Sequence, residues 1–148
     1  MIAVDTNILV YAHRNDLPFH DAARRVMESL ATGSTRWAVP WPCIHEFLAV
    51  VTNGRVFRRA SPLTVALSLV EALAQTGRCD FLAEGDAHLP ALRSLASSGN
   101  AAGGQIHDVR IAAICMAHGV RELWSADRDL SRYPALRVVN PLIPSASR

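Results

Sequence analysis

The chain has 148 residues, half of them hydrophobic, and a formal net charge of +2. That is enough apolar material for one cored domain and little room for a second. All fifteen basic residues are arginines and there is no lysine, which excludes, in their usual form, Walker-type phosphate loops, Schiff-base enzymes, and the receiver-domain and haloacid-dehalogenase pockets that set a lysine beside an aspartate.

In chain order, short β-rich runs alternate with helical stretches. Ile2–Val4 reads as a buried strand ending at Asp5, and Thr6–His13 as a helix starting directly behind it. Asp21 lies near the start of a helix that runs towards Leu30 and stops at Gly33. Trp37–Val39 is a second strand, closed by Pro40 and Pro42, and Cys43–Thr52 is helical by period, ending at Asn53-Gly54. Leu63–Gln75 is a clear helix, introduced by Ser61-Pro62 and ended by Gly77. Cys79–Leu82 is a strand, and Asp86 is expected to cap a helix over Ala87–Ala96. Residues 97–104 read as the most flexible part. Gln105–His118 is a strongly apolar helix ending at Gly119. Leu123–Ala126 is a strand ending at Asp127, and Arg137–Val139 is the last strand. Strands alternating with helices predict an α/β fold: one domain over 1–148, with a central, mostly parallel sheet of about five strands covered by helices on both faces.

The opening MIAVDTNILVYA is interrupted by Asp5 and Asn7. It lacks a positive leading segment and a small-residue cleavage site, so it does not read as a signal peptide. No apolar run is long enough to cross a bilayer. Three cysteines, Cys43, Cys79 and Cys115, have no metal-type spacing and point to a reducing cytoplasm.

Four of the thirteen acids stand where an ordinary solvated role explains them poorly. Asp5 and Asp127 each follow an apolar strand, and the carboxyl ends of parallel strands form the ligand crevice; either is also a plausible helix cap. Glu46 shares a helix face with Cys43, Ala49 and Val50, and Asp108 shares one with Ile111, Ala112 and Cys115. Buried unpaired carboxylates need a cation, a hydrogen-bond network or a shifted pKa. Asp108 also lies in the first turn of its helix, where the dipole favours an anion. Four converging carboxylates with no lysine to balance them point to a hard divalent cation, Mg²⁺ or Mn²⁺, and so to phosphodiester cleavage by one ion or two.

Ala3-Val4-Asp5-Thr6-Asn7, Glu46 within Pro42-Cys-Ile-His-Glu-Phe47, Asp108 within Ile106-His-Asp-Val-Arg-Ile-Ala-Ala113, and Ser125-Ala-Asp-Arg-Asp-Leu130 resemble, in order, the four blocks of PIN-domain ribonucleases. The closest resemblance is to VapC-type toxins of toxin–antitoxin pairs, and it spans essentially the whole chain. Leu130 departs from the Phe usual there. The resemblance implies an acidic Mg²⁺ pocket, single-stranded RNA endonuclease activity, a homodimer, and a VapB-type antitoxin whose C-terminal segment covers the pocket. It assigns Asp5, Glu46, Asp108 and Asp127 as catalytic and metal-holding acids. Thr6, Asn7 and Ser125 are the groups expected to support them.

Arg55, Arg58 and Arg59 form the densest basic cluster and are candidates for steering RNA. Arg110 is a candidate phosphate clamp, and Trp41 a candidate for base stacking. The zinc-protease reading of His45-Glu46 fails because its second histidine would fall on Ala49. The alternatives are a non-catalytic module of the same fold that grips RNA or protein, and a DNA-directed nuclease.

Overall fold

A computed structural model of the chain describes residues 1–144. Residues 145–148, the tail of the expected single domain, lie outside the described residues. The elements are β1 (Ile2–Val4), α1 (Thr6–His13), α2 (His20–Thr32), β2 (Trp37–Pro40), α3 (Trp41–Val51), α4 (Leu63–Gln75), β3 (Cys79–Leu82), α5 (His88–Ser98), α6 (Gln105–Ala117), β4 (Glu122–Trp124), a 3-10 turn (Asp129–Arg132) and β5 (Arg137–Val139). The five strands make one sheet in the order β3-β2-β1-β4-β5, every neighbouring pair parallel. This is the α/β architecture the sequence predicts.

Parallel strands need long crossovers; helix pairs supply those from β1 to β2, β2 to β3 and β3 to β4, and the segment with the 3-10 turn joins β4 to β5. The chain steps outward from β1 to β2 and β3, then returns across the sheet to β4 and β5. Helix α1 packs on α2 and α3, α3 packs on α4, and α5 packs on α6. With right-handed crossovers, the reversal places these two groups on opposite faces. The central strands are therefore buried on both sides, which is why they read as apolar runs. Val4, Trp37, Val39 and Leu123 are fully buried, with Ile8, Phe47 and Ile114 from the helices.

The strand order reverses between β1 and β4, so the crevice opens at the carboxyl ends of those two strands. Val4 lies opposite Trp124. The ladder then extends one step: the Asp5 N–H donates to the Trp124 carbonyl (3.0 Å) and the Ser125 N–H to the Val139 carbonyl (2.9 Å). Asp5 and Ser125 are thereby set side by side.

Several boundaries differ from expectation. β4 ends at Trp124, so Asp127 follows a bend instead of ending a strand. α3 begins at Trp41, because Pro42 falls in the first turn, where a missing N–H is no loss. Asp86 does not cap α5, which begins behind Ala87 with no side-chain cap; the His88 N–H turns back to the Gly85 carbonyl (2.9 Å) and moves the start past Asp86. α5 also runs to Ser98, into the segment expected to be flexible. At the end of α6, Gly119 takes φ 68°. The N–H groups of Val120 and Gly119 then close back on the carbonyls of Cys115 (2.9 Å) and Met116 (3.1 Å), a glycine-dependent helix stop that fixes where β4 starts.

One buried arginine ties a long connection to this frame. Arg14, only 9% exposed, donates through Nε and Nη2 to both oxygens of Asp16 (2.8 and 2.6 Å) and through Nη1 to the Arg59 carbonyl (2.7 Å). Its guanidinium lies 4.1 Å from the centre of the Phe57 ring. The connection 52–62, which carries Arg55, Arg58 and Arg59, is held by these contacts. Arg14→Gln leaves the Arg59 carbonyl without its charged donor, at a cost of about 2 kcal/mol. The thermal midpoint is expected to fall by about 4–8 °C, and trypsin to cut sooner after Arg55, Arg58 or Arg59. An unchanged midpoint and digestion pattern would show that the connection is held by other contacts.

Candidate active site

The crevice is an open cavity of about 380 Å³ whose lining includes all four acids singled out in the sequence: Asp5, Glu46, Asp108 and Asp127. They come from the end of β1, the middle of α3, the first turn of α6 and the bend after β4, so only the complete fold assembles them. Val10, Tyr11, Val50 and Leu130 form an apolar wall beside them.

Asp5 is 5% exposed and is surrounded by neutral donors. Oδ1 accepts from the Thr6 N–H (2.8 Å) and the Cys43 thiol (3.5 Å). Oδ2 accepts from the Asn7 amide (2.7 Å) and the Ser125 hydroxyl (2.6 Å). Burial pushes the Asp5 carboxyl above its ordinary range; the bonds from Ser125, Thr6 and Cys43 pull it down, and Glu46 adds repulsion. As the N-cap of α1, Asp5 also fills the structural role that its position after a strand suggested.

The Ser125 hydroxyl is fully committed. It donates to Asp5 and accepts from the Asn7 amide (3.0 Å) and the Asp127 N–H (2.9 Å). The Asn7 side-chain oxygen, Oδ1, accepts from the Ala126 N–H (2.9 Å). These bonds fold the bend after β4 onto Asp5 and set the position of Asp127. Asp127 Oδ1 accepts from the Asp129 N–H (2.8 Å), at the start of the 3-10 turn. Asp129 lies 3.6 Å from Arg132.

Glu46 is exposed to the cavity, not buried on an apolar stripe as its neighbours suggested. The buried face of α3 is Cys43, Ile44, Phe47 and Val51, and Glu46 sits at its edge. The Thr6 hydroxyl donates to Glu46 Oε2 at 2.6 Å. Asp108 is half-buried. Burial raises its carboxyl, with further repulsion from Asp127, Asp5 and Asp129, partly offset by Arg132.

Cys43 is the contact that sequence reasoning missed, having registered it only as an apolar neighbour of Glu46. Burial, with Asp5 close by, pushes its thiol well above the usual range, so it stays a neutral donor. Its place three residues before Glu46 on one helix face was the available signal.

None of the four acids takes part in an ion pair among the described residues. Nor do three or more His, Cys, Asp or Glu side chains close on a single point at metal-holding spacing among the described residues. The acids line one cavity without converging on one centre. That suits a hard cation which keeps waters between itself and some carboxylates, and the four acids offer oxygen alone. The residues therefore fit Mg²⁺ or Mn²⁺.

The basic candidates lie outside this cavity. Arg55, Arg58 and Arg59 are exposed on the connection 52–62, just beyond Val50 of the cavity wall, and none joins an ion pair among the described residues. Arg110 is paired with Glu84 at 2.5 Å. The Trp41 ring packs on His45 and Phe81, with centroids 5.6 and 5.2 Å away.

The raised carboxyls of Asp5 and Asp108 mean that folding favours their protonated forms. This contribution to stability is present below the ordinary aspartate value of 3.8 and is lost as pH rises through the raised values. In metal-free buffer at neutral pH, Asp108→Asn is expected to raise the thermal midpoint by a few degrees by removing one repelling charge. The gain should vanish in acid below the ordinary aspartate range. A variant that melts below the parent at neutral pH would show that repulsion is not what Asp108 chiefly contributes to the metal-free fold.

Comparison with known proteins agrees with the geometry. The PIN domain family model matches residues 2–136. The chain is 38% identical over 142 residues to ribonuclease VapC43 of Mycobacterium tuberculosis, covering 96% of each. It is 33% identical over 141 residues to ribonuclease VapC31 of the same organism, covering 95% of this chain and 99% of that one. A crystal structure of VapBC2 from Rickettsia felis, bound to a DNA fragment from their promoter, shares the fold: TM-score 0.67 at 19% identity, over 95% of this chain and 98% of the other. The chain belongs to the PIN-domain family and, within it, to the VapC ribonucleases.

Proposed function

We propose that the chain is a Mg²⁺-dependent endoribonuclease, with Mn²⁺ able to substitute, acting as the toxin of a type II toxin–antitoxin pair. The observation that carries this reading is the buried Asp5 carboxylate, held by neutral donors alone in a cavity with three further acids. Asp5 and Asp108 would hold the ion, and Glu46 and Asp127 would hold it or its waters. A bound Mg²⁺ lowers the pKa of a coordinated water and offsets charge at the scissile phosphate. The chain's own contribution is to hold the acids still. Ser125 and Asn7 fix one oxygen of Asp5, Thr6 fixes Glu46, and the apolar wall limits water on one side of the reacting atoms.

Surface charge supports an anionic substrate. With the four cavity acids set aside, nine carboxylates remain against fifteen arginines, a balance of +6. Arg55, Arg58 and Arg59 would steer RNA towards the cavity. RNA is favoured over DNA because the curated relatives are named ribonucleases.

The partners we infer are a VapB-type antitoxin, whose C-terminal segment would cover the cavity, and a second copy of this chain. Solved structures of the same fold include VapBC2 of Rickettsia felis and VapBC-1 of nontypeable Haemophilus influenzae. A cleft of about 150 Å³ between α1, α2 and α4, lined by Leu9, Met27, Leu69 and Leu73, would take the apolar face of a helix. Three free cysteines fit a reducing cytoplasm. No helix among the described residues is long and apolar enough to cross a membrane.

Digestion of single-stranded RNA and DNA with Mg²⁺, Mn²⁺ or EDTA tests the proposal. RNA should be cut with either ion, and neither RNA in EDTA nor DNA should be cut. Asp108→Asn should lose about a hundredfold or more in rate, and Ser125→Ala about ten- to a hundredfold. Equal cleavage by Asp108→Asn and the parent would sink the mechanism. Preference for DNA would favour a DNA-directed nuclease, and neither cleavage nor metal binding would favour a non-catalytic module.

A further inference from the structure

The acid cavity does not end at Glu46 and Asp108. A second open cavity of about 310 Å³ adjoins it, and the two share Glu46, Asp108 and Ile111. Its remaining walls come from the first two turns of α3 and α6: Pro42 and His45 on one side, His107 and Arg110 on the other. No arginine or histidine lines the acid cavity, whereas the second cavity carries one arginine and two imidazoles. An RNA strand crossing the acids meets one arginine and two imidazoles on this side, while the cavity on the far side, which shares Asp127, carries Arg128 and no imidazole.

Two details indicate what the second cavity takes. Arg110 places both Nε and Nη2 2.5 Å from Glu84 Oε1, and this contact holds the Glu84 carboxyl below its ordinary range. The two side chains are 43% and 36% exposed, so the pair is weak and exchangeable. The guanidinium edge that grips the carboxylate oxygen would equally grip a phosphate oxygen. His45, for its part, is exposed and braced. Its ring lies 5.6 Å from the Trp41 ring at 32° between planes, and Trp41 packs edge-on against Phe81. Trp41, the stacking candidate of the sequence, is itself exposed and packs on His45, and His45 is the ring that lines the cavity. An exposed, braced ring plane beside a nuclease centre is a seat for an unstacked base.

We propose that the cavity between the first two turns of α3 and α6 is a nucleotide subsite for single-stranded RNA, adjoining the scissile phosphate. A base stacks on His45, and a backbone phosphate takes Arg110 from Glu84. Glu84 thus stands in for the phosphate until RNA arrives. The inference rests on the RNA-cleavage reading above.

The test is cleavage of a labelled pool of randomised single-stranded RNA in Mg²⁺, with kcat and KM separated. Glu84→Gln frees Arg110 and should lower KM about two- to fivefold. Arg110→Gln should raise KM about tenfold, and the double variant should match Arg110→Gln, because Glu84 acts only through Arg110. His45→Ala should raise KM about tenfold, and His45→Phe, which keeps a ring plane, should restore it. If the parent cleaves the pool while Arg110→Gln and His45→Ala keep the parental KM, the subsite is refuted and the cleavage reading stands. A gain from Glu84→Gln that persists without Arg110 also refutes the exchange. If the parent cleaves no RNA, the cleavage reading fails and takes the subsite with it.

Discussion

A carboxylate taken out of water with no positive partner is the constraint on which this structure turns. Asp5 gives up solvation that four neutral hydrogen bonds replace only in part. The donors are distributed widely. Thr6 and Asn7 come from the helix Asp5 itself caps, Cys43 from α3, and Ser125 from beyond β4. Holding this one anion fixes the bend that carries Asp127 and the mutual placement of β1, β4 and α3. The sheet topology makes it possible, because the reversal of strand order leaves the ends of β1 and β4 open and adjacent.

The arginines are placed consistently with that constraint. Arg14 is spent on Asp16 and the Arg59 carbonyl, Arg36 on Asp80, Arg110 on Glu84 and Arg137 on Glu122. An arginine beside Asp5 would satisfy it permanently and compete with a divalent cation. With no guanidinium paired to Asp5 among the described residues, its charge is left for the proposed cation to balance. The proposed cation site would thus trade affinity against the stability of the metal-free chain, a conflict expected of a functional site.

Much of this was legible in the sequence because the physics involved is local. Ile2–Val4 followed at once by Asp5 is a strand whose carboxyl end carries an acid, and Asp108 among Ile111, Ala112 and Cys115 stands out on a helix apolar nearly all round. What was not legible depends on three-dimensional neighbours. Glu46 looked buried because its spacing cannot say on which side of the α3 boundary it falls. Asp127 looked like a strand end because two further residues of β-type sequence hide the bend that Ser125 and Asn7 impose. Cys43 looked like packing because a thiol donating to a carboxylate leaves no mark on hydrophobic period. Arg110 read as a free clamp because Glu84, twenty-six residues away, is brought to it only by the fold.

That a divalent cation supplies the charge Asp5 lacks is the proposal on which the rest depends. It is tested most directly by titrating the parent and Asp5→Asn with Mn²⁺ at neutral pH, following the free-ion signal by electron paramagnetic resonance, with circular dichroism to confirm that both are folded. The account predicts saturable Mn²⁺ binding by the parent and its loss in folded Asp5→Asn. Equal binding by the two proteins, or none by the parent, would contradict it.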